Sequence, residues 1–385
     1  MSVPNPPLTL GIEEEYQIID PETRKLYSYI SELISQDEKR DTKLNLKPEF
    51  MQSQVEVGSF ICQNVNQVRQ EVVRLRRAVC EMADANGLQI AAASTHPFAR
   101  WEEQSITEGV RYKELLDDMQ GVARRLLIFG MHVHVGFGSD PEAKNLMIEI
   151  MNQARYFIPH ILALSTSSPF WHGRNTGLKS YRSVVFESLP RTGIPHSFES
   201  WGEYKRYEEI MGKTGAFGKG DTIAKIWWDI RPHPLFDTME FRISDICTTV
   251  DEAVCLAATF QAICAMLLKL RQNNMTWRRY RHMHITENKW RAVRYGIHGN
   301  MIDFGRGEEV PFHFLMEELL ELLDPVLDEL GSREEVEFIR TILKKGTSAD
   351  RQLAVYRKYG GDENREEALK AVVDHLVAET RQGVY

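Results

Sequence analysis

Near its N-terminus the chain reads TLGIEEEYQIID, a run that an unassisted β-strand accommodates poorly. As a strand it puts Leu10, Ile12, Glu14, Tyr16 and Ile18 on one face and Thr9, Glu13, Glu15 and Gln17 on the other. Glu13 and Glu15 then stand side by side, and like charges at that spacing repel unless a cation lies between them.

Three later segments repeat the anomaly. In KPEFMQSQVEVGS (47–59), Gln52, Gln54 and Glu56 share a face backed by Val55 and Val57, with Glu49 seven residues ahead of Glu56 at the start of the predicted strand. In LLIFGMHVHVGFG (126–138), His132, His134 and Gly136 alternate with Met131, Val133, Val135 and Phe137. In IWWDIRPHPLFDTMEFRISDICTT (226–249), two strands flank a turn at Pro232 to Asp237, and Glu240, Arg242 and Ser244 alternate with Met239, Phe241 and Ile243.

Helices separate these segments. Val65, Val68, Val72, Leu75, Val79 and Met82 recur every three or four residues, with Arg69, Arg74, Arg76, Arg77 and Glu81 mainly off that stripe and Gly87 closing the helix. Helices are also predicted over about 111–124, from the Asp140-Pro141 cap to about 158, and from 251 to about 270 behind a Thr249/Glu252 capping box. Residues 168–222 read as loop-rich. Beyond Trp277 the chain reads as mostly helical: Pro325 is expected to kink or split a helix over 315–330, and Ser332/Glu335 and Asn364/Glu367 are expected to cap the next ones. No repeat or linker interrupts the chain, so 1–385 is read as one domain with a helical C-terminal part from about 277.

Hydrophobic and charged contents of 43% and 26% fit a globular protein, and a net charge of −8 argues against nucleic acid as a partner. The one basic cluster, Arg278, Arg279 and Arg281 around Tyr280, reads as surface or ion-paired. No run of about 20 apolar residues suggests a membrane span, and the N-terminus lacks an export signal, so a cytoplasmic location is expected. Five cysteines without CxxC spacing read as buried, reduced thiols.

The charged strand faces collect Glu13, Glu15, Glu49, Glu56, His132, His134, Glu240 and Arg242. Singly, each pattern also fits a strand face in water. Together, five inward carboxylates call for cations, and hard oxygen donors with an imidazole or two suit Mg²⁺ or Mn²⁺. Magnesium commonly keeps substrate phosphates in its shell, which with Arg242 points to a nucleotide triphosphate and a transferring phosphoryl group. Gly212-Lys213-Thr214 imitates the end of a P-loop, but Tyr207 stands where the first glycine belongs. His132-x-His134 lacks a third nearby zinc ligand, and His282-x-His284 reads as structural.

GIEEEYQIID, the Glu49–Glu56 segment, GMHVHVGFG, TMEFRISD and ENKWRAVRYGIHG, in that order, resemble the glutamate–cysteine ligase family, type 2, and within it the bacterial carboxylate–amine ligase branch. The resemblance spans residues 8 to about 380. It implies an α+β, glutamine-synthetase-like fold: a curved, mainly antiparallel sheet whose concave face binds ATP and divalent metal, with helices packed on the other side. It implies Glu13, Glu15, Glu49, Glu56, His132 and Glu240 as metal ligands, Glu240 and Arg242 as the catalytic Glu-x-Arg pair, and Arg242, Arg231 and His134 at the nucleotide. An arginine for the substrate carboxylate is expected among Arg182, Arg191 and Arg231. The implied reaction is ATP-dependent amide formation through an acyl phosphate, from a small carboxylate and an amine such as L-glutamate and L-cysteine, with weak glutamate–cysteine ligase activity. A homodimer is the expected assembly. The rivals are a phosphotransferase on the same scaffold and a non-catalytic nucleotide-binding protein.

Overall fold

The computed structural model describes residues 4–40, 43–217 and 225–385. Its organising element is β1 (Leu10–Ile19), which pairs antiparallel on both edges. Along one edge lies β3 (Gln54–Gly58), joined by a tight hairpin to the two-residue β2 (Lys47–Pro48). Along the other lie β4 (Gln89–Ala91) and β5 (Met131–Gly136). Short pairs follow outside this sheet: β6 (Phe170–Trp171) with β7 (Arg174–Asn175), and β8 (Thr192–Gly193) with β9 (Trp227–Trp228). The sheet is then completed by β10 (Ile230–Pro232) and β11 (Thr238–Phe241), giving the order β10-β11-β5-β1-β3-β2 with β4 on β1. A last hairpin, β12 (Asn300–Asp303) and β13 (Glu308–Pro311), interrupts the helical C-terminal part and was not foreseen from the sequence.

The two-residue period of the strands sorts the sheet into an apolar and a polar side. Ile12, Tyr16, Val55, Val57, Val133, Val135, Met239 and Phe241 are all buried. Helices Val65–Ala85 and Val250–Gln272 cover that side, with Phe260 packed on Phe241 at 4.0 Å between ring centres. Thr249 and Glu252 form the predicted capping box of the second helix. That helix is, among the described residues, the one long and apolar enough to cross a membrane by length and composition, although polar residues interrupt it. In the fold, 89% of its apolar stretch is buried, against helices Val65–Ala85, Phe312–Leu330 and Arg333–Glu337.

Several expectations are corrected. The segment 47–59 is a hairpin rather than one strand, because Lys47 and Pro48 fold back on Glu56 and Val55. The helix over 111–124 is broken at Gln120, whose φ of 50° no helix accommodates. The loop-rich middle contains helix Trp201–Lys213, started by the Ser200 side chain accepting from the Glu203 amide. Arg76, placed off the apolar stripe, is buried. Helix Phe312–Leu330 runs through Pro325 without splitting. Neither Ser332 nor Asn364 caps through its side chain, since their backbones (ψ 12° and 49°) lie outside the extended region an N-cap needs; the box falls instead on Thr347 and Asp350.

All five cysteines are buried and unpaired, as expected. Arg279 pairs with Glu199 at 3.3 Å and Arg278 lies over the Tyr280 ring, a surface arrangement. Lys213 and Thr214 end helix Trp201–Lys213, with Lys213 paired to Glu209, so this stretch is no phosphate loop.

Candidate active site

Pairing places the polar side chains of neighbouring strands next to one another. Arg231 lies opposite Glu240, Glu240 opposite His134, His132 opposite Glu13, Glu15 opposite Glu56, and Glu56 opposite Lys47. The six predicted metal ligands gather into two triads, Glu13–His132–Glu240 and Glu15–Glu49–Glu56, with the ligand atoms of each within 4.8 Å of one another.

In the first triad His132 Nδ1 lies 3.3 Å from Glu13 Oε2 and 3.9 Å from Glu240 Oε1. Glu240 accepts from Arg231 Nε at 2.7 Å and from Arg242 Nη1 at 2.5 Å. Burial alone would raise the Glu240 carboxyl, but the two guanidinium charges outweigh it and hold it well below the usual carboxylate range. Glu13 is likewise held well down, burial being overcome by hydrogen bonds and charge from His132 and His134. Arg242 has a buried Nε without a hydrogen-bond partner.

In the second triad Glu15 accepts from the Gly130 amide at 2.6 Å and from Gln54 Nε2 at 3.0 Å. Glu49 reaches it from the turn between β2 and β3, not from a strand face. Burial, reinforced by the Glu56 charge, pushes Glu49 well above the usual range; burial also raises Glu15, with the Glu56 charge adding to it against His132 and Arg182. This triad consists of oxygen donors only, three carboxylates crowded together.

The remaining predicted residues divide. His134 Nδ1 bonds Thr238 Oγ1 at 3.0 Å, while its buried Nε2 has no hydrogen-bond partner and lies 3.8 Å from Glu13 Oε2. Arg231 is buried on Glu240. Arg182 is buried beside the site: its guanidinium donates to the carbonyls of Arg242 (3.1 Å) and Ile243 (3.3 Å). Arg191 turns away, donating to the Lys225 carbonyl and lying over Phe217 and Trp227. The His282 and His284 rings stack on His196 and Phe304, as structural histidines do.

Two residues escaped the sequence reading. Lys47 Nζ lies 3.0 Å from Glu13 Oε1 and 2.7 Å from Glu56 Oε1, joining the triads; no face pattern marks it, because its strand is two residues long and Glu49 lies in the turn that follows. Asp245, fully buried, accepts from Ser167 N, Ser168 Oγ and Ser180 Oγ at 2.7–2.9 Å and ties the 167–183 segment, with Arg182 on it, to the sheet.

A divalent cation fits these donors. The second triad supplies three carboxylates of which two are raised, the arrangement a hard cation relieves, and the first offers two carboxylates and an imidazole next to the orphaned His134 nitrogen.

Against known proteins, the model of Glutamate-cysteine ligase family 2(GCS2) matches residues 9–375. A protein from Herpetosiphon aurantiacus, provisionally named glutamate–cysteine ligase 2, is 51% identical over 381 residues, covering 99% of this chain and 95% of the relative. One of the same provisional name from Solibacter usitatus is 47% identical over 385 residues, covering 100% and 96%. Among solved structures, a glutamate–cysteine ligase from Francisella tularensis in complex with AMP matches with TM-score 0.66 at 12% identity, over 100% of this chain and 91% of that one. A bifunctional glutathione synthetase from Pasteurella multocida matches with TM-score 0.67 at 13% identity, over 98% of this chain and 53% of that one. At such identities the likeness is one of fold, and it agrees with the α+β class.

Proposed function

The chain belongs to glutamate–cysteine ligase family 2, and from that premise we propose that it joins a small carboxylate to an amine at the expense of ATP, on the polar side of its central sheet. It is an ATP-dependent ligase by family. L-Glutamate and L-cysteine are the pair the relatives' names suggest. The observation that carries the reading is the convergence of six ligand-capable side chains from β1, β3, β5, β11 and the turn before β3 into two triads.

In this reading a carboxylate oxygen of the first substrate bonds to the γ-phosphorus of ATP and ADP leaves, giving an acyl phosphate. The amine nitrogen then bonds to the acyl carbon, phosphate leaves, and the amine proton passes to solvent. Magnesium or manganese held by Glu13, His132 and Glu240 and by Glu15, Glu49 and Glu56 would neutralise the triphosphate.

The protein's own groups do the rest. Arg242, fixed by Glu240 and lying over the Phe186 ring, supplies positive charge for the transferring phosphoryl group, with its unpartnered Nε as a ready donor. Arg231 keeps Glu240 ionised and oriented. The Gly130 amide and Gln54 do the same for the orientation of Glu15.

The test is ADP release measured across acids and amines, L-glutamate and L-cysteine first, with Mg²⁺ or Mn²⁺ present. Release that needs both substrates supports the ligase. Release with the acid alone, unaffected by any amine, would indicate a phosphotransferase instead.

A further inference from the structure

Four carboxylates of the two triads, Glu13, Glu15, Glu49 and Glu56, lack the paired guanidinium groups that serve Glu240. Among the described residues, Lys47 is the lysine paired with two of them, its ammonium touching one carboxylate of each triad, Glu13 at 3.0 Å and Glu56 at 2.7 Å. We propose that Lys47 is a built-in counter-ion that bridges the triads in the metal-free enzyme and competes with divalent cations for them, so that it withdraws when they are loaded. This rests on the reading of the triads as metal sites.

Lys47 and the arginines differ in how firmly they are held. Arg231 and Arg242 have side chains only 7% and 12% exposed, so they stay with Glu240 whatever else binds. The Lys47 side chain is 50% exposed and stands on a strand of two residues. Its ammonium is a compact, strongly hydrated charge on a flexible stem, which can return to water with little loss. Opposite Glu13 on β3 stands Gly58, whose missing side chain leaves the ammonium uncovered; a Cβ there would lie 4.0 Å from Nζ.

Charge and donor use then set the competition. Lys47 takes Glu13 Oε1, while Glu13 Oε2 faces His132 and His134. It also takes Glu56 Oε1. A divalent ion in either triad would repel the ammonium and claim the same carboxylates. With both triads filled, one ammonium between two dications is unfavourable, and the path to solvent is open.

The experiment is titration of the full chain with Mn²⁺, free ion being followed by electron paramagnetic resonance, for wild type, Lys47→Met and Lys47→Arg, with thermal unfolding of each metal-free protein. Lys47→Met is expected to bind Mn²⁺ about tenfold more tightly and to unfold at a lower temperature without metal, and Lys47→Arg to stay near wild type in affinity. Equal or weaker Mn²⁺ binding by Lys47→Met, with wild type binding normally, overturns the competition and leaves the metal sites standing. Absence of saturable binding in wild type and both variants overturns the metal reading itself. Should Lys47→Met be too unstable for titration, Lys47→Gln serves the same comparison.

Discussion

Glu14 and Arg76 form an ion pair sealed on the apolar side of the sheet, directly behind the strand that carries Glu13 and Glu15. Arg76 Nε lies 3.1 Å from Glu14 Oε2, Tyr16 donates to the same oxygen at 2.5 Å, and the guanidinium also reaches the carbonyls of Cys247 and Thr248 at 2.8 and 2.7 Å. One contact set thus joins β1, helix Val65–Ala85 and the segment beyond β11. Arg76→Met strands a buried carboxylate and is expected to lower stability by about 3–5 kcal/mol, whereas Glu14→Met with Arg76→Met together should lose much less. Urea unfolding decides; a double variant as weak as the single one would contradict this account.

Arg242→Ala and Glu15→Gln should each lower the rate of ADP release about 10²-fold or more while leaving the fold intact. Turnover in a coupled assay, read beside thermal unfolding, checks both. A variant that turns over like wild type removes that residue from the mechanism.

Glu49→Gln should have opposite effects on stability and on metal response. The Glu49 carboxyl is raised by burial and by Glu56, so the metal-free folded state keeps a proton that the unfolded chain releases first. Its stabilising share is therefore complete below the ordinary carboxylate range and lost as pH rises through the raised value. Glu49→Gln should make the metal-free protein more stable at neutral pH and abolish most of the gain on adding Mg²⁺ or Mn²⁺, about 2.7 kcal/mol at a hundredfold excess over Kd. Thermal unfolding with metal and with chelator gives both readings, and a full metal response in the variant would assign the site elsewhere.

Two buried histidines outside the triads should contribute to acid sensitivity between pH 7 and 4. His96 is buried with Nδ1 accepting from the Phe98 and Ala99 amides, so Nε2 carries the proton and donates to the Arg24 carbonyl. Burial pushes it down to about 4, and His160, also buried, to about 4. The unfolded chain takes up these protons below about 6.5 and the folded protein only near 4. Stability is therefore present above that window and lost as pH falls through it, with a slope of up to about 1.4 kcal/mol per pH unit for each histidine. Unfolding midpoints measured from pH 7 to 4 test this, and a flat profile would contradict it.

Gly130→Ala should harm activity more than stability. An added Cβ would lie 2.9 Å from Arg182 Nη2 and 3.3 Å from His132 Nε2, so both side chains must shift. The expected result is a loss of turnover with a modest drop in melting temperature, and unchanged turnover would count against either side chain needing its present place.

What the sequence revealed was what depends on alternation along a strand. Glu13, Glu15, Glu56, His132 and Glu240 were visible because a two-residue period assigns each to a face without knowledge of partners. Glu49 was found by resemblance and spacing, but its route to the site, back across a hairpin, depends on how Lys47 and Pro48 pair. Lys47 stayed hidden for the same reason. Arg76 falls off the apolar stripe, and helical periodicity cannot show that Glu14 waits across the interface. Helix Trp201–Lys213 had its Ser200 cap in plain view, but closely spaced aromatic and charged residues blurred its stripe.

The strict alternation of β1 makes it intolerant of any change in length. Losing one residue before Glu13 would turn the strand inside out, thrusting Glu13 and Glu15 toward Phe241 and Phe260 and turning Ile12 and Tyr16 outward to water. The turns around this strand can change length without that penalty, but within it the spacing of the acids and the shape of the greasy layer behind them are fixed by the same register.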